Sequence, residues 1–157
     1  MDFEHLRGLG AAALYTTTFV FALVSGLVPY VLSLEVYLVA VSALTNAPLV
    51  PIVGLSALGQ AISKYILYLV GKGTLNVSWV KRGAVGKAAE VFARHPHGSL
   101  GIVATSAACA VPPLYPVSLV AGTIGVPRVA FVVIVALGVL VRYTALFLAS
   151  DLFRSIF

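Results

Sequence analysis

Apolar residues run through this chain in long stretches, and only a few polar, Gly or Pro residues divide them. Residues 9–27 form the first stretch, beginning just after Arg7, and predict a membrane helix, since about 20 apolar residues suffice to cross a bilayer. Gly26, Pro29 and Glu35 then crowd into a segment unsuited to a plain lipid-facing helix. Residues 36–44 are apolar again but too short to cross, and Asn46, Pro48 and Pro51 punctuate the chain after them. The pattern predicts a re-entrant helical hairpin, because a broken backbone is tolerated at membrane depth only where protein or a water-filled cavity satisfies it. Residues 51–70 predict a full span that starts on a proline, whose missing N–H is harmless in a first helical turn.

The second half repeats this order. Residues 100–111 are a short arm, Pro112, Pro113 and Pro116 mark a break, and residues 117–124 return. A turn at Gly125-Val126-Pro127 leads into a long apolar run over 129–149. Lys64 follows Pro48 by 16 positions and Arg142 follows Pro127 by 15, and each is succeeded by Tyr. Repeated halves with interrupted segments in corresponding places point to a transporter-type core whose site lies at the repeat interface. Between the halves, residues 79–94 alternate apolar and charged positions and predict an amphipathic helix, with Trp79 and Phe92 suited to the membrane interface.

The expected fold is therefore an all-α polytopic membrane protein in a single membrane domain over 1–157. It comprises an N-terminal helix (1–28), a first re-entrant hairpin plus transmembrane helix (25–71), a cationic amphipathic linker (72–97) and a second hairpin plus helix (98–150).

Composition makes lipid the required solvent. Of 157 residues, 61% are hydrophobic and 10% charged, with a mean hydropathy of +1.07. A soluble domain carries about 25% charged residues, and this chain has too few to cover a surface in water. The net charge of +5 lies largely in the linker, at Lys72, Lys81, Arg82, Lys87 and Arg94. Beside apolar spans such cations set topology or meet lipid headgroups, so nucleic acid is not an expected partner. Positive-inside counting places the linker on the cytoplasmic side; the expected location is integral to the plasma membrane of a prokaryote. Asp2 and Glu4 beside Arg7 deny the N-terminus the positive region of a cleaved signal peptide. The one cysteine, Cys109, excludes an intrachain disulfide.

Candidate chemistry is confined to a few residues. From Gly8 to Gly71 the only charges are Glu35 and Lys64, and from Gly98 to Ser150 only Arg128 and Arg142. An ionised group at bilayer depth costs at least ~2.5–3.5 kcal/mol, so Glu35 must face a cavity, pair with a cation or be protonated. Lys64 and Arg142 either face inward, where they can pair with Glu35 or bind an anionic headgroup, or snorkel to an interface. Tyr30 and Tyr115 flank the breaks at Pro29 and at Pro112, Pro113 and Pro116, placed to donate to a phosphate or a carbonyl or to anchor at an interface. Arg128, beside Pro127, reads as an interfacial charge. His95-Pro96-His97 lacks partners for a metal, no nucleophile–base set is legible, and no cofactor is expected.

These residues carry a resemblance. Pro29, Ser33-Leu34-Glu35, Gly59-Gln60, Lys64-Tyr65 and Gly71-Lys72, followed by Val111-Pro112-Pro113, Pro116, Ala121-Gly122, Phe131, Gly138 and Arg142-Tyr143, resemble the DedA/VTT superfamily, also called SNARE-associated Golgi proteins. The likeness covers roughly residues 20–148 and is nearest to the small YqaA-like members. It implies two oppositely inserted re-entrant hairpins meeting near the midplane. The activity it implies is translocation of phospholipid or polyprenyl phosphate by a flippase or scramblase, with possible proton coupling. Glu35 matches the family's hairpin-tip acid. An upstream acid, which would fall near Leu23, and the arginines of the second hairpin are missing, which leaves scrambling or a differently charged headgroup more open. The expected partner is a membrane lipid with an anionic or zwitterionic headgroup, with homo-oligomers possible. The rival expectations are a proton-coupled small-solute or ion transporter and a structural membrane protein without transport.

Overall fold

The computed structural model describes residues 3–28, 33–44, 48–73, 90, 92, 94 and 98–156. Among these residues the chain is all helical, with six helices in order: α1 (Phe3–Leu27), α2 (Leu34–Leu44), α3 (Leu49–Gly71), α4 (Ser99–Cys109), α5 (Leu114–Thr123) and α6 (Arg128–Ile156). Three helical stretches, Gly10–Leu27, Leu49–Gly71 and Arg128–Ser150, are long and apolar enough to cross a membrane. The others, of 11, 11 and 10 residues, reach only about 16 Å at 1.5 Å per residue, half a hydrocarbon core. Large apolar side chains stand on the outside, among them Val36, Leu44, Val50 and Val129, each more than two-thirds exposed. A water-soluble monomer does not tolerate that much apolar exposure, whereas lipid favours it.

Helix boundaries follow the prolines, with one shift from expectation. Pro116 lies in the first turn of α5, not in the break, and Pro51 occupies the same third position of α3. N–H groups of a first turn have no intrahelical partner, so proline there costs nothing. The second break is thus confined to 110–113. It opens where Ala110 adopts a left-handed conformation (φ 59°) and donates its N–H to the Ser106 carbonyl. Ser106 Oγ reaches across the break to the Pro112 carbonyl at 2.6 Å. At the other break, α1 runs unbroken to Leu27, so the expected N-terminal helix and the first arm are one continuous helix. Glu35 falls inside the first turn of α2.

The core is continuous across the helices. Leu38, Ile52, Tyr68, Val103, Val117, Phe131 and Val135 are fully buried within it. α3 lies at the centre, against α1, α5 and α6, while α6 also receives α2 and α4. These contacts have an exchange property. α1 packs on α3 as α4 packs on α6, and α5 packs on α3 as α2 packs on α6. Small residues permit the close crossings. A Cβ on Gly59 would stand 2.9 Å from the Ala22 side chain of α1, and one on Gly138 would stand 2.6 Å from the Ala107 side chain of α4. Where α3 crosses α5, a Cβ on Gly71 would meet the Leu119 carbonyl at 1.9 Å. Close backbone approach through small residues is how helices gain attraction in lipid, where burial of apolar surface between helices gains little. Tyr68 completes the crossing: it stacks on Phe131 and donates to the Val126 carbonyl at 2.6 Å.

Most of the linker expected over 72–97, with Trp79 and His95-Pro96-His97, lies outside the described residues. Phe92, expected at an interface, is 5% exposed and packs into the core.

Candidate functional site

A cavity of about 350 Å³ lies among α1, α2, α3, α5 and α6, and both interrupted stretches of the chain border it. Glu35, Lys64, Arg142, Gln60, Ser25 and Ser33 supply much of its polar lining, alongside Tyr115, Tyr143, Pro113 and Leu114. Four of the five expected site residues therefore meet in one space. Tyr30, the fifth, lies outside the described residues, as does Pro29. Of the other break prolines, Pro113 lines the cavity, while Pro112 and Pro116 shape the turn and the helix start beside it.

At the mouth, Arg142 of α6 forms an ion pair with Glu35 of α2, across 107 positions of sequence. Their side chains are 24% and 35% exposed. Ser33 positions the carboxylate by donating to its second oxygen at 2.9 Å, and also receives the Val36 N–H at 3.4 Å as a helix cap. The pair joins α2 to α6, and Ser150 continues that seam by donating to Ser42 at 2.8 Å.

At the floor, Lys64 is 6% exposed and donates from Nζ to the Gly26 carbonyl at 2.7 Å. Among the described residues this carbonyl is its only hydrogen-bond acceptor, and an ammonium has three N–H groups. Lys64 thus faces the cavity and does not snorkel. Gln60, one turn earlier on the same face, spends its amide N–H groups on the Ala22 carbonyl (3.0 Å) and Ser25 Oγ (3.1 Å). Ser63 caps the Gln60 carbonyl at 2.8 Å. These bonds hold the end of α1 against α3 and fix the carbonyl that receives Lys64. Gly26 is required there, since a Cβ on it would fall 1.9 Å from Ser63 Oγ.

Charge separates the two ends. Among the described residues lining the cavity, two cations oppose one carboxylate, which leaves one positive charge. Arg142 is neutralised by its partner, whereas Lys64 meets a backbone carbonyl, so the surplus resides at the buried floor. Positive charge and free N–H donors at one end are the chemistry that can receive an anion.

Gln60 and Ser25 line the site although neither is among the expected site residues, Gln60 having counted only toward the resemblance. The available signal was Gln60 lying four positions before Lys64, hence on one helix face. No family model matches the chain, and no curated protein or solved structure matches it either.

Proposed function

We propose that this protein is a lipid translocase of the DedA/VTT type, which carries a phosphate-bearing headgroup across the membrane without changing it chemically. In this reading each half is one repeat. The end of α1 with α2, and α4 with α5, form re-entrant hairpins, and α3 and α6 are the long helices after them. The exchange property of the helix contacts supports the repeat, and the half-membrane reach of α2, α4 and α5 supports hairpins that turn back. The linker then faces the cytoplasm, in the plasma membrane of a prokaryote.

The observation that carries the function is the surplus cation in a cavity bordered by both breaks, with apolar helix surface outside. A headgroup phosphate gains a partner at Lys64 while its acyl chains remain in lipid. The missing upstream acid favours scrambling over strict proton coupling. The cavity volume also suits a small anionic solute, which gives the second reading its footing.

Reconstitution in phosphatidylcholine vesicles separates the two. Labelled phospholipids should change leaflet faster with protein than in empty vesicles, and Lys64→Met should slow them at least tenfold. Efflux of entrapped inorganic phosphate with no lipid movement would replace the lipid reading with the solute one. Neither activity would remove both.

A further inference from the structure

The cavity counts charge, and we infer that Glu35 sets the substrate class to singly charged phosphodiester headgroups over doubly charged phosphomonoesters. The inference rests on the translocase reading and deepens it. Its basis is the division of labour between the two ends of the site. Lys64 supplies the attraction from the buried floor, fixed by its 2.7 Å bond to Gly26 and by the Gln60 and Ser25 bonds behind it. Glu35 lines the same cavity and cancels Arg142. One surplus positive charge remains, enough to balance one negative charge.

A phosphodiester carries that single charge. A phosphomonoester carries between −1.5 and −2 near neutral pH, about one charge more than the site can match. Within the cavity that unmatched charge meets the Glu35 carboxylate, which is only partly exposed and therefore screened less than a fully solvated charge. Glu35 therefore repels the dianion as well as holding Arg142. Removing the carboxylate's charge frees Arg142, raises the surplus to two and matches the monoester. At separations of about 6–12 Å and an effective dielectric near 20, one charge changes the preference by roughly 10- to 100-fold.

Two variants distinguish charge counting from a merely structural role for the pair. Glu35→Gln keeps the shape and the acceptor for Ser33 while losing the charge. Glu35→Gln with Arg142→Gln returns the surplus to one while losing the ion pair altogether. The ratio of diester to monoester should thus fall at least tenfold in the single variant and return to the wild-type side in the double. A structural role would leave the double variant as impaired as the single, or more so.

The experiment uses the full chain in phosphatidylcholine vesicles with fluorescent phosphatidylglycerol as diester and fluorescent phosphatidate as monoester. In parallel, the detergent-solubilised protein is titrated with dihexanoyl phosphatidylglycerol and dihexanoyl phosphatidate, read by thermal shift. A ratio within twofold of wild type in Glu35→Gln, in binding or in transport, overturns the inference and leaves translocation standing. A double variant that tracks the single one overturns it as well. Binding with the expected ratios but no faster lipid movement than in empty vesicles removes the translocase reading and keeps the charge count. Binding of neither short-chain lipid to the wild type overturns the inference whatever the vesicles do.

Discussion

Gly26→Ala tests the seam that holds the site's floor. Elsewhere in a helix the change would help, because alanine exceeds glycine by about 0.5–1 kcal/mol. Here the new Cβ would fall 1.9 Å from Ser63 Oγ and 2.7 Å from Ser63 Cβ. The hydroxyl can rotate away. Ser63 Cβ is fixed to the α3 backbone and stands well inside the roughly 3.5–4 Å of a relaxed carbon–carbon contact. The α1 end must therefore retreat by about 1 Å to restore that contact. Overpacking of that kind costs about 1–3 kcal/mol, which outweighs the propensity gain and leaves a net loss of about 1–2 kcal/mol. The same retreat pulls the Gly26 carbonyl from Lys64, so anion affinity should fall together with stability. The assay is reversible unfolding in mixed micelles followed by circular dichroism, on Gly26→Ala, Ser63→Gly and the pair. Ser63→Gly alone loses its bond to the Gln60 carbonyl and gains a helical glycine, costing about 1–2 kcal/mol. The pair should cost less than the two singles added, because removing the Ser63 side chain makes room for the methyl. A Gly26→Ala protein as stable as wild type, or strict additivity in the pair, would refute the close approach on which the floor depends.

Other substitutions probe other seams by the same unfolding measurement. Gly138→Leu should destabilise by at least about 2 kcal/mol, the cost of a forced core rearrangement, since even its Cβ meets Ala107 at 2.6 Å. Tyr68→Phe should cost about 0.5–1.5 kcal/mol, or more where the Val126 carbonyl is left dry, with the stack on Phe131 retained. Ala110→Gly should be neutral or stabilising by up to about 1 kcal/mol, because glycine adopts the left-handed conformation without the Cβ clash. Ser33→Ala should cost about 0.5–2 kcal/mol as a lost cap, and should weaken the discrimination between diester and monoester lipids by loosening Glu35.

Much of the helix order was legible in the sequence because apolar runs and prolines are local signals. The turn at Gly125–Pro127 stands where the residues imply it. Pro116 misled, since a proline signals a break and a first turn alike, and which one depends on where the preceding helix stops. The site's charges were legible for a different reason: an isolated charge in an apolar run has few tolerable places to be. The partnership of Glu35 with Arg142 was only one option for either residue, because it depends on α2 docking against α6, a contact no local pattern encodes. The site role of Gln60 and Ser25 was not legible, because a neutral polar residue in an apolar span is as easily a helix-packing contact.

The docking of α2 has a consequence for how the chain is made. α1, α2 and α3 leave the ribosome before α6, yet α2 packs mainly on α6. For the 107 positions that separate Glu35 from Arg142, the carboxylate is made without its ion-pair partner and α2 without its main neighbour. The nascent protein must hold a short helix and a carboxylate without its Arg142 partner in reserve until α6 arrives. Premature termination before α6 would leave both stranded, the carboxylate without its ion pair and α2 without its main packing face.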